Sequence, residues 1–115
     1  MTPSVLIVDD HPSFRASARL LLESEGWNVV GEAADGARAL AAARELEPDL
    51  VLLDIQLPDF DGFEVSSRLA STGGPAVILV SSRDCEDYGS LAFSSGARGF
   101  IPKAELSGEA LEALL

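Results

Sequence analysis

The amino-acid sequence predicts an α/β protein in which helices cover both faces of one parallel sheet. Val5–Val8, Leu50–Leu53 and Ala76–Val80 are unbroken apolar runs, which are typical of strands buried on both sides. Segments with helical features separate these runs, so that strand and helix alternate five times along the chain. The 115 residues have room for one compact domain, and we assign residues 1–115 to it.

Two shorter strand candidates, Asn28–Glu32 and Gly99–Ile101, complete a five-stranded sheet. The first helix begins at Pro12, because proline suits a first helical turn. Gly26 ends that helix. Its apolar stripe consists of Phe14, Ala18, Leu21 and Leu22.

The remaining helices are predicted from their caps and their stop signals. Asp35, Asp61 and Ser107 can accept hydrogen bonds from amides of a first helical turn, so they cap the second, third and fifth helices. The second helix runs through Leu46, since Pro48 prevents its continuation. The third ends at Gly73-Gly74-Pro75, the fourth spans roughly Asp84 to Gly96, and the chain end cuts the fifth short.

Composition excludes several classes of function. A net charge of −11, from 19 acidic and 8 basic residues, disfavours direct binding to nucleic acid. The apolar runs are too short to cross a bilayer, and Asp9 and Asp10 interrupt any secretion signal. Cys85 is the single cysteine, so no internal disulfide can form. These features predict a cytoplasmic protein.

Polar residues follow four of the predicted strands at the point where each strand ends. Right-handed crossovers bring the carboxyl ends of parallel strands to one edge of a sheet, where ligand sites form. We therefore expect these side chains to lie close together: Asp9, Asp10, Asp54, Ser81 and Lys103.

Three carboxylates at one partly buried edge repel each other unless positive charge compensates them. A divalent cation together with Lys103 supplies that charge, and oxygen ligands favour Mg²⁺ or Mn²⁺ over zinc. Asp54 is then a candidate nucleophile toward a phosphoryl group, whose oxygens Lys103 and the hydroxyl of Ser81 can bind.

Each of these residues also has an ordinary structural interpretation. Asp10 can cap the first helix, Ser81 can bond a nearby carbonyl, and Lys103 can be a solvated surface lysine. The coincidence of five such residues at equivalent positions favours the functional interpretation. His11, the single histidine, is expected in an exposed loop without a catalytic role.

Longer sequence motifs around these residues resemble those of the bacterial response regulator receiver domain. The resemblance covers essentially the whole chain. The sequences at the ends of the first and last strands are similar to those of the NarL/FixJ subgroup. The motifs are Val8-Asp9-Asp10-His11-Pro12, Glu32-Ala33-Ala34-Asp35-Gly36, the segment from Leu53 through Gly62, and the segment from Gly96 through Lys103.

The resemblance implies a flavodoxin-like (βα)5 fold with strand order 2-1-3-4-5 and a two-component phosphorylation site. Asp54 would accept the phosphoryl group from a sensor histidine kinase. Asp10, Asp54 and the backbone carbonyl of Gln56 would bind the metal ion directly, and Asp9 would act through water. Ser81 and Lys103 would contact the phosphoryl group. Phe100 would be an aromatic switch residue on the output face.

The resemblance also implies a signalling role rather than that of a conventional enzyme, with homodimerisation possible on activation. Members of the subgroup usually carry a DNA-binding domain after the receiver, so we expect a longer protein that controls transcription through a segment beyond Leu115. Receivers often have proline after the lysine, in a cis peptide. Here Ala104 follows Lys103, which predicts a trans bond.

Two alternatives stay open at this point. One is a stand-alone or pseudo-receiver interaction module that has the fold without phosphorylation. The other is a haloacid dehalogenase-type phosphotransferase, although those enzymes place two aspartates at i and i+2, whereas Gln56 stands two residues after Asp54 here.

Overall fold

Five parallel strands and five α-helices alternate along the part of the chain that the computed structural model describes, residues 3–82 and 87–115. The predicted α/β architecture is therefore confirmed. In chain order the elements are β1 (Ser4–Val8), α1 (Pro12–Ser24), β2 (Asn28–Ala33), α2 (Gly36–Leu46), β3 (Leu50–Asp54), α3 (Gly62–Ser71), β4 (Ala76–Ser81), α4 (Tyr88–Ser94), β5 (Gly99–Pro102) and α5 (Gly108–Leu114).

The strands lie in the order β2-β1-β3-β4-β5, which is the order that the resemblance implied. Val5 pairs with Leu50 across β1 and β3, and Asp54 pairs with Val80 across β3 and β4. The chain thus runs outward in opposite directions from β1 and β3, and the crevice at this switch point opens beyond their carboxyl ends.

Strand residues point alternately into two separate cores. On β1, Leu6 and Val8 join the core beneath α2, α3 and α4, whereas Val5 and Ile7 join the core beneath α1 and α5. All four side chains are fully buried, and each contributes roughly 1.5–3 kcal/mol to folding. Burial on both faces explains why the strands appear in the sequence as unbroken apolar runs.

The three predicted helix caps are present. Asp35 accepts a hydrogen bond from the amide of Arg38 at 2.8 Å, and Asp61 accepts one from the amide of Glu64 at 2.8 Å. Ser107 accepts from the amide of Ala110 at 3.0 Å. These bonds satisfy amides that the first turn of a helix leaves without a partner, so they fix where α2, α3 and α5 begin.

Some boundaries differ from the predicted ones. The described part of the fourth helix ends at Ser94, two residues before the predicted end at Gly96, whose φ of 83° breaks helical geometry. The predicted start at Asp84 falls outside the described residues, as does Cys85. A short 3₁₀ turn, Lys103–Glu105, follows β5 and was not predicted.

The Lys103–Ala104 peptide bond is trans, as predicted. The longest of the described helices, α1, has 13 residues. In the described ranges, no helix is long and apolar enough to span a bilayer.

Candidate functional site

The carboxyl edge of the sheet brings together the side chains that the sequence placed there. Asp54 and Ser81 are the last residues of β3 and β4, and Asp9 and Lys103 directly follow β1 and β5. Asp9 has no exposed surface, while Asp54 and Ser81 are 3% and 1% exposed. Because the strands are parallel, their ends build one buried polar site from four separate segments.

Lys103 is the cation of this site. Its ammonium nitrogen lies 2.6 Å from Oδ2 of Asp9 and 3.6 Å from Oδ2 of Asp54. The same nitrogen lies 4.4 Å from the centre of the Phe14 ring on α1, a contact that the sequence did not reveal. The ring face attracts the cation and holds its side chain over the carboxylates.

Asp54 has a strongly perturbed carboxyl group. Burial, with repulsion from Asp9 and more weakly from Asp10, raises its pKa from 3.8 to about 6. Attraction by Lys103 and a hydrogen bond from the Gln56 amide act in the opposite direction. Asp54 is thus still largely ionised at neutral pH, when it can act as a nucleophile.

Asp9 is held in place from two sides. Its Oδ1 accepts a hydrogen bond from the backbone amide of His11 at 2.8 Å, and the guanidinium of Arg15 donates to its backbone carbonyl. Its Oδ2 forms an ion pair with Lys103. This oxygen accepts no hydrogen bond from any other residue that the structure describes. This buried oxygen therefore has capacity for a further partner.

Asp10 and His11 form the exposed rim. The Asp10 side chain is 37% exposed and the His11 side chain 64% exposed. His11 Nδ1 lies 2.9 Å from Oδ1 of Asp9 and 3.1 Å from Oδ1 of Asp10. Asp10 does not cap α1, because His11 occupies the capping position. The side chain of His11 makes no capping hydrogen bond either.

The donor atoms of the side chains at this edge show which kind of metal ion the predicted site could hold. One donor atom each from Asp9, Asp10, His11 and Asp54 lie within 4.8 Å of one another. Three of the four are carboxylate oxygens, the ligands that Mg²⁺ and Mn²⁺ prefer, and the buried Oδ2 of Asp9 lies beside them. The residues fit a hard divalent cation. His11 is exposed, as predicted, but its imidazole also lies within this donor cluster, which was not predicted.

The loop after β3 folds back onto the site. The Gln56 amide donates to Oδ1 of Asp54 at 3.3 Å, and Gln56 forms an isolated antiparallel bridge with Asp61. Gly62 makes this turn possible, since a Cβ there would lie 2.5 Å from the carbonyl oxygen of Asp54 and 2.6 Å from the Cα of Ile55. A glycine was visible at this position in the sequence, but its steric reason was not.

Asp59 fastens the same loop to α2, and the sequence analysis missed it. Its carboxylate accepts hydrogen bonds from the amides of Gly36 at 2.7 Å, Ala37 at 2.9 Å and Phe60 at 2.8 Å. Partial desolvation alone would raise the pKa of Asp59. The hydrogen bonds from these amides outweigh it and lower the pKa below 3.8. No local pattern reveals this bond, because Asp59 and Gly36 lie far apart in sequence.

Comparison with known proteins identifies the family. The model of the response regulator receiver domain matches residues 5–115. A transcriptional regulator of Pseudomonas aeruginosa is 46% identical over 108 residues, which cover 93% of this chain and 52% of that protein. The transcription regulator BvgA of Bordetella pertussis is 43% identical over 114 residues, covering 98% of this chain and 54% of BvgA.

A solved structure gives the same answer. The signal receiver domain of the response regulator NarL from Mycobacterium tuberculosis has a TM-score of 0.88 and 36% identity, with 98% of this chain and 96% of that one covered. This agrees with the resemblance to the NarL/FixJ subgroup. This chain spans about half the length of the curated relatives named above. It belongs to the response regulator receiver domain family of two-component signalling.

Proposed function

We propose that Asp54 accepts a phosphoryl group from a sensor histidine kinase and that this modification switches the output face of the domain. The observation that carries the proposal is that buried Asp54 and buried Asp9 share Lys103 at the switch point of the sheet. Burial and repulsion from Asp9 raise the pKa of Asp54 to about 6. A bound cation or a covalent modification of this carboxylate would relieve that repulsion.

In the transfer step, an oxygen of the Asp54 carboxylate attacks phosphorus and forms a P–O bond. The P–N bond to the donor histidine breaks, and the leaving imidazole nitrogen keeps the electron pair and takes a proton. Lys103 lies 3.6 Å from Oδ2 of Asp54, near enough to contact the phosphoryl oxygens as charge accumulates on them. We assign to Ser81, the last residue of β4, a hydrogen bond to the transferred group.

A divalent ion completes the charge balance. We assign Mg²⁺, or alternatively Mn²⁺, to Asp10, Asp54 and the backbone carbonyl of Gln56, with Asp9 acting through water. When bound, such an ion neutralises the phosphoryl oxygens and orients them for transfer. Asp9 and Lys103 are paired already, so Asp9 also holds the ammonium where the phosphoryl group arrives.

The output face is proposed to lie beside α4 and β5. Phe100 on β5 is half-buried and packs edge-on against Tyr88 of α4, with ring centres 5.2 Å apart. Tyr88 in turn lies 6.0 Å from the ring of Phe63 on α3. Movement of Ser81 toward a phosphoryl group would leave space that Phe100 can enter, which would disturb the packing of Tyr88 and therefore of α4.

The output itself is proposed from the relatives. The curated relatives described above are named as transcription regulators and are about twice as long as this chain. We propose that residues 1–115 are the N-terminal part of a longer protein whose following segment binds DNA, and that phosphorylation promotes its homodimerisation. The strongly acidic receiver itself would not contact DNA, because phosphates repel it.

A pseudo-receiver that works only as an interaction module is the second candidate. Incubation with acetyl phosphate and Mg²⁺, followed by intact-mass measurement, separates the two. We expect one phosphoryl group on the wild-type chain, none on Asp54→Asn, and one on the control Asp87→Asn, since Asp87 is exposed and makes no capping bond. Absence of phosphorylation in all three would favour the pseudo-receiver.

A further inference from the structure

His11 stands beside two carboxylates of the metal cluster, although no catalytic role was predicted for it. We propose that its imidazole is a nitrogen ligand of the divalent cation, and that it makes this site prefer first-row transition cations such as Mn²⁺, Co²⁺ and Ni²⁺ over Mg²⁺. This inference rests on the proposed function, since the cation is the one assigned to Asp54.

The spacing of donor atoms carries the argument. Two ligands about 2.1 Å from an octahedral ion lie roughly 3.0 Å apart when adjacent and roughly 4.2 Å apart when opposite. Nδ1 of His11 lies 3.1 Å from Oδ1 of Asp10, which is the separation of adjacent ligands. It also lies 2.9 Å from Oδ1 of Asp9, and the cation would replace that hydrogen bond while Asp9 is reached through water. Donor atoms of all four residues, including Asp54, fall within 4.8 Å of one another. A single cation can therefore reach the imidazole and the carboxylates with small side-chain movements.

The backbone holds the imidazole in this position. The amide of His11 donates to Oδ1 of Asp9 at 2.8 Å, which ties the residue to the carboxylate beside its own ring. Pro12 follows, and a residue before proline is restricted to extended backbone; His11 has φ −97° and ψ 108°. The backbone of His11 thus loses little further freedom when its ring binds a cation.

The proton on the ring can be accommodated. A cation at Nδ1 requires the lone pair of that nitrogen, so the proton of a neutral imidazole must then reside on Nε2. The His11 side chain is 64% exposed, so water can carry the proton between the two nitrogens and can accept a hydrogen bond from Nε2.

The selectivity follows from ligand chemistry. Mg²⁺ keeps oxygen ligands and gives up its water reluctantly, whereas imidazole suits transition cations, and their affinities for such mixed sites rise from Mn²⁺ to Ni²⁺. His11 therefore adds affinity for these ions in excess of any that it adds for Mg²⁺.

Electron spin-echo modulation of the Mn²⁺-loaded protein, prepared without a histidine tag, tests the ligation directly. The chain contains one histidine, so a coupled imidazole nitrogen must belong to His11. We expect this coupling in the wild type and in the α1 control Ser17→Ala, and its loss in His11→Gln. Persistence of the same coupling in His11→Gln, or its absence in the wild type, would overturn the inference.

Calorimetric titration of the same proteins supplies the second readout. His11→Gln should lower the ratio of Ni²⁺ to Mg²⁺ affinity at least about tenfold, and an unchanged ratio would contradict a ligand role. Labelling of the wild type with acetyl phosphate in Mg²⁺ keeps the two proposals apart. A labelled protein with no nitrogen coupling refutes the role of His11 alone, and an unlabelled protein that binds Mn²⁺ through His11 refutes phosphorylation alone.

Discussion

The ammonium nitrogen of Lys103 lies 2.6 Å from Oδ2 of Asp9, a carboxylate with no exposed surface. The distance from the same nitrogen to Oδ2 of Asp54 is 3.6 Å. One lysine is thus shared between two buried acids, and its bond to Asp9 is the shorter. The charge of Asp54, the proposed nucleophile, is therefore incompletely compensated.

Removing this cation should destabilise the domain. Lys103→Met keeps most of the side-chain volume but leaves Asp9 and Asp54 without their shared partner. We expect the free energy of unfolding at pH 7.5, measured with urea in the absence of divalent ions, to fall by about 3 kcal/mol. Arg38→Met is the control, because the Arg38 side chain is 76% exposed and its ion pair contributes little. Equal, small effects of the two substitutions would contradict the importance of the Lys103 pair.

Asp54 itself should destabilise the folded protein at neutral pH. Its pKa is about 6 when folded and close to 3.8 when unfolded, so the folded state binds more protons between these values. Stability therefore falls as pH rises from about 4 to about 6, and the loss is complete above the folded pKa.

Asp54→Asn removes that charge. The variant should exceed the wild type in stability on the order of 2 kcal/mol at pH 7.5, and the advantage should vanish below pH 4. Urea unfolding across this pH range, without divalent ions, measures it. An advantage that persists unchanged at low pH would show that the ionised carboxyl is not the cause.

Replacement of Gly62 by alanine should destabilise the domain, whereas the same replacement at Gly89 should not. A Cβ at Gly62 would meet the backbone of Asp54 and Ile55 at 2.5–2.6 Å, so Gly62→Ala must displace the loop beside the site. We expect a loss above about 2 kcal/mol. Gly89 lies in α4, and a Cβ there would have no atom of the described residues within 4 Å, so Gly89→Ala should stabilise by about 0.5–1 kcal/mol. Thermal unfolding compares the pair, and a mild Gly62→Ala would mean that the loop can shift freely.

Asp59 should matter in a pH-dependent way. Its lowered folded pKa means that its stabilising effect is present above its ordinary value of 3.8 and is lost as pH falls through the lower folded value. Asp59→Asn should therefore lower the melting temperature at pH 6, and by much less in strong acid. Calorimetry against the exposed control Asp87→Asn checks this. A difference that is independent of pH would contradict the assigned charge–amide bonds to Gly36 and Ala37.

Local and periodic features of the fold were predictable from the sequence. Strands buried on both faces have to be apolar along most of their length, as Leu50–Leu53 is in β3. The caps Asp35 and Asp61 bond amides only three residues ahead. The positions of Asp9, Asp54, Ser81 and Lys103 followed from the single rule that parallel strands end at one edge.

Contacts between distant segments were not predictable in this way. The Phe14 ring meets Lys103 because α1 and β5 contribute to the same core. Asp59 meets Gly36 because the loop after β3 crosses to α2. The position of His11 against Asp9 and Asp10 depends on a turn whose geometry the sequence pattern left open. Each of these contacts is set by packing in three dimensions rather than by any repeat along the chain.

The assignment of Asp54 as the phosphoryl acceptor is tested most directly by locating the phosphoryl group chemically. Acyl phosphates on aspartate are reduced by borohydride to homoserine, which marks the modified residue permanently. After incubation with acetyl phosphate and Mg²⁺, reduction and tandem mass spectrometry, we predict homoserine at position 54 and none at Asp9 or Asp10. Homoserine at either of those positions, or at none in a protein that binds Mg²⁺, would contradict the assignment of Asp54 as the phosphoryl acceptor.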